Sequence, residues 1–298
     1  MDNLEVTFSD AGPFLERAGS HLAADPVLST VVSSVAARMA AMVERGEETT
    51  SAPYAWFAIV TEHGGEVVGA AMRTAPFAPH PVYVLPMPDP AAISLAESVL
   101  AREPVTAVNG ARRASEAFAA TVASRTGGRV AVGVHTRLFE LGELVDPRPV
   151  LGRIRNATVA EAPLALDWFH RFHRDADVQA GRPPTRGARG DHMTVADMEE
   201  LIRGGHLWFW VDPADQPVHL TASRPPAFGV ARIGPVYTPI EHRGRGFASA
   251  TVAEVSRRLR ADGARVTLFT DQANPTSNKI YEAIGFRPIV DMVELVIG

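Results

Sequence analysis

The segment His242-Arg243-Gly244-Arg245-Gly246-Phe247-Ala248 combines two glycines and two arginines with the start of an amphipathic run. A strand that turns sharply into a helix leaves the first amide N–H groups of that helix without acceptors. The helix dipole adds about half a positive charge at that end. Gly244 and Gly246 permit positive φ and a close approach of backbone to ligand. Arg243 and Arg245 add charge. The chemistry such a segment supports is capture of a phosphate-like anion. Two other phosphate signatures fit less well. A mononucleotide loop needs Gly-x-x-x-x-Gly-Lys-Ser/Thr, and no lysine stands here. A dinucleotide fingerprint finds Gly244, Gly246 and, at the end of the next strand, Asp271. Ser249 replaces its third glycine, however, and the strands before the loop read as an antiparallel meander.

The elements that must hold this loop are legible in the second half of the chain. Leu207 to Val211 reads as a strand and Asp212 to Asp215 as a turn. Further strands are expected over Pro217–Ala222 and Ala227–Thr238. A helix follows the loop from Ser249 to Arg260, with Val252, Val255 and Leu259 on one face, and Gly263 ends it. Arg265–Phe269 is a strand. Asn274–Ile284 is a helix with Asn at the N-cap and Pro275 at its first position. Phe286 to Ile297 supplies one or two final strands.

The first half repeats this order. Tyr54–Thr61 and Glu66–Arg73 form a predicted hairpin. A strand at Pro81–Pro86 is followed by a helix at Ala91–Arg102. Val105–Val108 is a strand, Ala111–Arg125 a helix and Val130–Leu141 a strand. Pro81-Val82-Tyr83 echoes Pro235-Val236-Tyr237. The copies differ at the loop: where the second has Arg243-Gly244-Arg245-Gly246, the first has Met87-Pro88-Asp89-Pro90. Prolines remove amide donors, and Asp89 adds negative charge. The first half is therefore expected not to hold a phosphate in this manner. Asp146-Pro147-Arg148-Pro149 reads as a stiff linker, giving expected domains at 1–147 and 153–298. The Gly- and Pro-rich stretch Gly181–Asp191 is either a substrate-side lid or a solvated loop.

Bulk properties narrow the classes. The 298 residues suit two domains. A net charge of −5 gives no electrostatic reason to expect nucleic acid as a partner. The absence of cysteine excludes disulfides, thiolate metal sites and a cysteine nucleophile. No apolar run is long enough to span a bilayer and the N-terminus lacks a signal pattern, so a cytoplasmic protein is expected.

Val236-Tyr237-Thr238-Pro239, then Arg243-x-x-Gly246-x-Ala248, then Asn274 ahead of Tyr281, then Gly285-Phe286, together resemble the GNAT superfamily of N-acetyltransferases. The likeness is specific over about Ile233 to Phe286. In the first half it rests on the order of elements alone. It implies an α/β (α+β) fold of two tandem GNAT-like domains, each a mixed, mostly antiparallel sheet flanked by helices, the first degenerate. It implies acetyl-CoA as co-substrate, with the pyrophosphate on amides of Arg243, Gly244, Arg245, Gly246, Phe247 and Ala248. Backbone groups of Val236 and Tyr237 would pair with the pantetheine arm, which Asn274 would also contact. Tyr281 would protonate the leaving thiolate, which is general-acid catalysis. No metal is called for.

The acyl acceptor would be a small-molecule amine or a peptide amine, and the protein a monomer or homodimer. The alternative is a coenzyme-binding or partner-binding module without turnover. The strand over Phe228–Val236 carries no carboxylate, so the base that deprotonates the amine is open among Glu241, Asp271, Asp175 and His206. The acceptor pocket is expected opposite the coenzyme, against the helix around Leu164–Val178 and Trp208 or Trp210. Trp168, Phe169 and Phe172 read as core, and His170 and His173 as helix surface.

Overall fold

A computed structural model describes residues 4–47, 55–179, 181, 182 and 192–298. The chain forms two compact units. One comprises Met1–Thr136 with Val290–Gly298, the other Arg137–Ile289.

The first unit opens with β1 (Glu5–Ser9), α1 (Ala11–Ala24) and α2 (Thr30–Glu44). None of the three was read from sequence. The apolar residues Phe14, Ala18 and Leu22 nevertheless recur at helical spacing in α1, and all are buried. The predicted hairpin is β2 (Trp56–Thr61) against β3 (Val67–Arg73), in antiparallel register. Then come β4 (Val82–Val84), α3 (Asp89–Leu100), β5 (Ala107–Ala111), α4 (Arg112–Thr126) and β6 (Val130–Leu141), whose last residues, 137–141, belong to the other unit. The sheet runs β1-β2-β3-β4-β5 and then takes the chain's last strand, β12 (Phe286–Ile297), beside β5. Met292 to Val296 pair with Ala111 to Ala107, antiparallel.

The second unit contains β7 (Arg153–Asn156), α5 (Ala162–Gln179), α6 (Val195–Arg203), β8 (Leu207–Val211), β9 (Pro217–Ala227) and β10 (Val230–Tyr237). These are followed by α7 (Phe247–Ala261), β11 (Arg265–Asp271) and α8 (Pro275–Ala283). Its sheet order is β6-β11-β10-β9-β8-β7. Each half of the sequence thus lends a terminal strand segment to the other half's sheet, which an order-of-elements reading does not foresee. The segment Asp146–Pro149, read as the linker, falls inside the second unit.

Alternation along β8 builds two cores on the two faces of this sheet. Leu207, Phe209 and Val211 pack with Ala165, Trp168, Phe169, Met198 and Ile202 of α5 and α6. Trp208 packs with Val252, Val255 and Leu259 of α7 and with Tyr281 and Ile284 beside α8. On β10, Ala231 and Ile233 point to the α7 face. The register against β9 then shifts between Ile233 and Val236, where Gly234 and Pro235 stand. Pro235 has no N–H to give to a ladder. One extra residue reverses the facing of everything beyond it. Val236 accordingly lies against the α7 core, and Tyr237 enters the α5 core.

Candidate active site

β10 and β11 are parallel neighbours whose register holds from Val230↔Arg265 to Ile233↔Leu268 and no further. Both strands continue, to Tyr237 and Asp271. Beyond Ile233 the sheet splays, and Val236 and Tyr237 lose their partner on that side. The wedge opens on a cavity of about 240 Å3. Its walls bring together every residue singled out in the sequence as coenzyme-binding, from Val236 and Tyr237 through Arg243–Ala248 to Asn274, and also Tyr281.

The loop reaches α7 through a 3-10 turn at Ile240–His242. Gly246, the N-cap of α7, has φ +83°. A Cβ added there would stand 2.9 Å from Val150 Cγ1, so the conformation favours glycine and any side chain would have to displace that methyl. Arg243 N–H bonds to Ile240 O and Ala250 N–H to Gly246 O. Among the described residues, the amides from Gly244 to Ser249 between them have no acceptor. That is the open end of a helix, with its dipole aimed outward.

The two arginines of the loop differ. Arg243 folds back: Nε donates to Thr238 O at 2.9 Å and Nη2 to Asp175 Oδ2 at 2.8 Å. It brackets α5 rather than adding a loose charge to the anion site, as the sequence suggested. Arg245 is exposed, with one long 3.4 Å bond to Glu241 O. His242 also lines the cavity; its Nδ1 is buried and has no partner among the described residues.

α5 contributes Phe172, Asp175, Ala176 and Gln179 to the opposite wall. The spacing i, i+3, i+4, i+7 places them on one helix face. Tyr237 Oη donates to Asp175 Oδ2 at 3.0 Å. Burial, then this bond, push the Tyr237 phenol up to about 12. Asn274 caps α8, its Oδ1 accepting from Ser277 N–H at 3.2 Å, as its position suggested. Its Nδ2 donates to Gln179 Oε1 at 3.0 Å. Tyr281 is 7% exposed and packs edge-on against Phe286 at 6.0 Å. Its hydroxyl has no hydrogen-bond partner among the described residues. Burial raises its proton affinity.

Several expectations fall elsewhere. Trp208 is core, and Trp210 donates Nε1–H to Leu151 O at 2.9 Å; neither lines the cavity. Residues 183–191 of the suggested lid lie outside the described residues. Among the described residues no group of His, Cys, Asp and Glu could hold a metal, and no helix is long and apolar enough to cross a membrane.

One buried polar group escaped the sequence reading. His219 on β9 is fully buried, with Nδ1 2.7 Å from Thr238 Oγ1 and Nε2 2.8 Å from Thr221 Oγ1. Desolvation pushes the ring down to about 3, so it is neutral. The signal was present: His219, Thr221 and Ser223 alternate with Val218, Leu220 and Ala222, which marks a polar stripe on a buried strand. Through Thr238, whose carbonyl receives Arg243, it anchors the base of the loop.

Comparison with known proteins agrees with this architecture. The FR47-like protein family matches residues 224–295. No curated protein matches the chain. A GNAT-family acetyltransferase from Colwellia psychrerythraea superposes with a TM-score of 0.56 at 10% identity, covering 98% of this chain and 99% of the other. A GCN5-related N-acetyltransferase from Sphaerobacter thermophilus gives 0.56 at 17% identity, covering 98% and 94%. The splayed sheet and its neighbours define the fold as that of the GNAT acetyltransferases. The arrangement is the tandem one: a tandem GNAT protein from the clavulanic acid biosynthesis pathway is similar over 99% of this chain and 98% of its own, with a TM-score of 0.53 and 16% identity.

Proposed function

We propose that the chain is an acyl-coenzyme A-dependent N-acyltransferase that moves an acetyl group from acetyl-CoA to a primary amine by direct transfer. One observation carries this reading: the acceptor-free amides of Gly244–Ser249 open on the same cavity as Tyr281. The amides and Arg245 would hold the pyrophosphate by the open helix end. The edge of β10 left unpaired beyond Ile233 would receive the pantetheine arm as a further strand. When bound, the coenzyme supplies the acyl group as a thioester. Tyr281, on the cavity wall and without a competing partner among the described residues, holds its proton for the departing sulfur. Direct transfer needs no acyl-enzyme, which suits a chain without cysteine.

The first unit supports a degenerate role. Asp89 at the start of α3 is held by Arg113 at 2.8 and 3.0 Å, and Pro88 and Pro90 offer no N–H there. The second unit alone is then the coenzyme-binding one.

Calorimetry and thermal unfolding with acetyl-CoA test the reading. At 100 times the dissociation constant, stabilisation of about 2.7 kcal/mol is expected. No stabilisation at millimolar acetyl-CoA would sink it. Turnover is read by thiol release, with no protein thiol to interfere.

A further inference from the structure

The transferase reading leaves one role unfilled, the group that receives the proton of the incoming ammonium. We propose that Asp175 fills it: its Oδ1 binds the acceptor as an ammonium and takes up one proton. The inference rests on the transferase reading and names the residue and the charge state of acceptor that the site takes.

Among the described residues, Asp175 is the one carboxylate on the cavity wall. Both of its short bonds fall on a single oxygen. Arg243 Nη2 and Tyr237 Oη donate to Oδ2 at 2.8 and 3.0 Å. Oδ1 meets Arg174 Nε at 3.9 Å, which is beyond hydrogen-bond length. A carboxylate offers about four lone-pair sites, so a fixed and oriented carboxylate is left with an open oxygen. Its neighbours fix it from two directions: Arg243 from the loop and Tyr237 from β10. His242 and Arg245 are the other ionisable side chains on the wall besides Tyr281.

The remaining candidates are placed elsewhere. Glu241 is exposed and off the wall. Asp271 accepts from Arg182 at 2.5 Å and from Ala273 N–H at 2.8 Å, and also lies off the wall. His206 is bonded to Ser223 Oγ at 3.3 Å and does not line the cavity.

The proton inventory closes. The ammonium gives one proton to Asp175 Oδ1, which exposes the nitrogen lone pair. The C–N bond forms at the thioester carbonyl and the C–S bond breaks. The sulfur takes the Tyr281 proton, and a second N–H proton restores the phenol. Asp175 returns its proton to water. One ammonium and one thioester give one amide, one thiol and one proton.

The test uses full-length protein with Asp175→Asn, which keeps the shape but cannot take a proton. Probes are glycinamide, an α-amine titrating at about 7.7–8.0, and the ε-amine of Nα-acetyl-lysinamide, at about 10.4. Profiles start at pH 7.5, above the ordinary imidazole range. At pH 7.5 kcat/KM should fall by about 100-fold or more, with acetyl-CoA affinity within about threefold of wild type by calorimetry. The deficit should shrink as pH rises through each amine's own pKa, earlier for glycinamide, because a neutral amine needs no base. A deficit equal at every pH overturns the proposal. So does loss of acetyl-CoA affinity, which would make Asp175 a positioning residue for Arg243. Wild-type protein that binds acetyl-CoA yet acylates neither amine also overturns it, whereas failure to bind acetyl-CoA at all rejects the transferase reading. Asp175→Glu carries the test should the asparagine variant unfold. It is expected to keep the wild-type pH shape with a reduced kcat, and a raised KM for acetyl-CoA in its place counts against the proposal.

Discussion

Ile233 and Leu268 are the last pair in register between β10 and β11, and the strands part immediately beyond them. The corresponding pair of the first unit behaves differently. β4 and β5 stay in register through Val84↔Gly110, where a Cβ on Gly110 would stand 2.0 Å from Val84 O. Only glycine permits that approach. One unit therefore closes its sheet at the place where the other opens. The opening coincides with the Gly234-Pro235 bulge, which interrupts the ladder and reverses the facing of Tyr237.

The open end of α7 gives the first expectation. Gly246→Asp forces a side chain into positive φ, toward Val150 Cγ1, and sets a negative charge among the free amides. The backbone term costs at most about 1–2 kcal/mol, because Asp tolerates this region better than most side chains. The variant should lose some thermal stability and all stabilisation by acetyl-CoA. Retained stabilisation would show that the loop does not hold the anion.

Tyr281→Phe separates chemistry from packing. The hydroxyl is unpartnered, so its removal should leave unfolding free energy within about 0.5 kcal/mol of wild type. Acetyl-CoA affinity should not change. Thiol release with an amine should fall about 10²–10⁴-fold. A fall in stability with activity intact would make Tyr281 a structural residue.

What the sequence disclosed was local. Gly244, Gly246, Asn274 and Pro275 act through their own backbone or a residue three places on, so spacing was enough to find them. The bracket from Arg243 to Asp175 spans 68 residues, and no local pattern announces its partner. Likewise Tyr237 reaches α5 only because a bulge reverses its facing, which a two-residue period cannot show. β6 and β12 read correctly as strands, but which sheet each joins depends on pairing far along the chain. α2 was missed although Val32, Ser33 and Ala36 are buried along one side of it.

Asn274→Ala removes two bonds at once, the cap to Ser277 N–H and the link to Gln179. Loss of an N-cap costs about 0.5–2 kcal/mol. Asn274→Ser should recover most of this, since serine caps equally well, but not the Gln179 link. Comparing both by chemical denaturation and by acetyl-CoA affinity divides the two roles. Equal stability of the alanine variant and wild type would remove the cap as a source of α8 order.

The pH dependence of stability should be set in large part by His219. Its ring is fully buried and held down to about 3, against an ordinary value of about 6.5. Between these values the unfolded chain binds a proton that the folded chain refuses, so unfolding free energy rises with pH in that window. The contribution is complete above pH 6.5 and is lost as pH falls toward 3. At pH 5 the loss is about 2 kcal/mol, from 1.36 kcal/mol per unit. His219→Gln keeps a donor and an acceptor for Thr221 and Thr238 without the titration. Its stability should therefore fall less steeply between pH 6.5 and 5 than that of wild type. Parallel curves for the two proteins would mean that the acid sensitivity lies with other groups. A weaker grip on acetyl-CoA in this variant at pH 7.5 would in turn show that Thr238, held by the ring, sets the base of the anion loop.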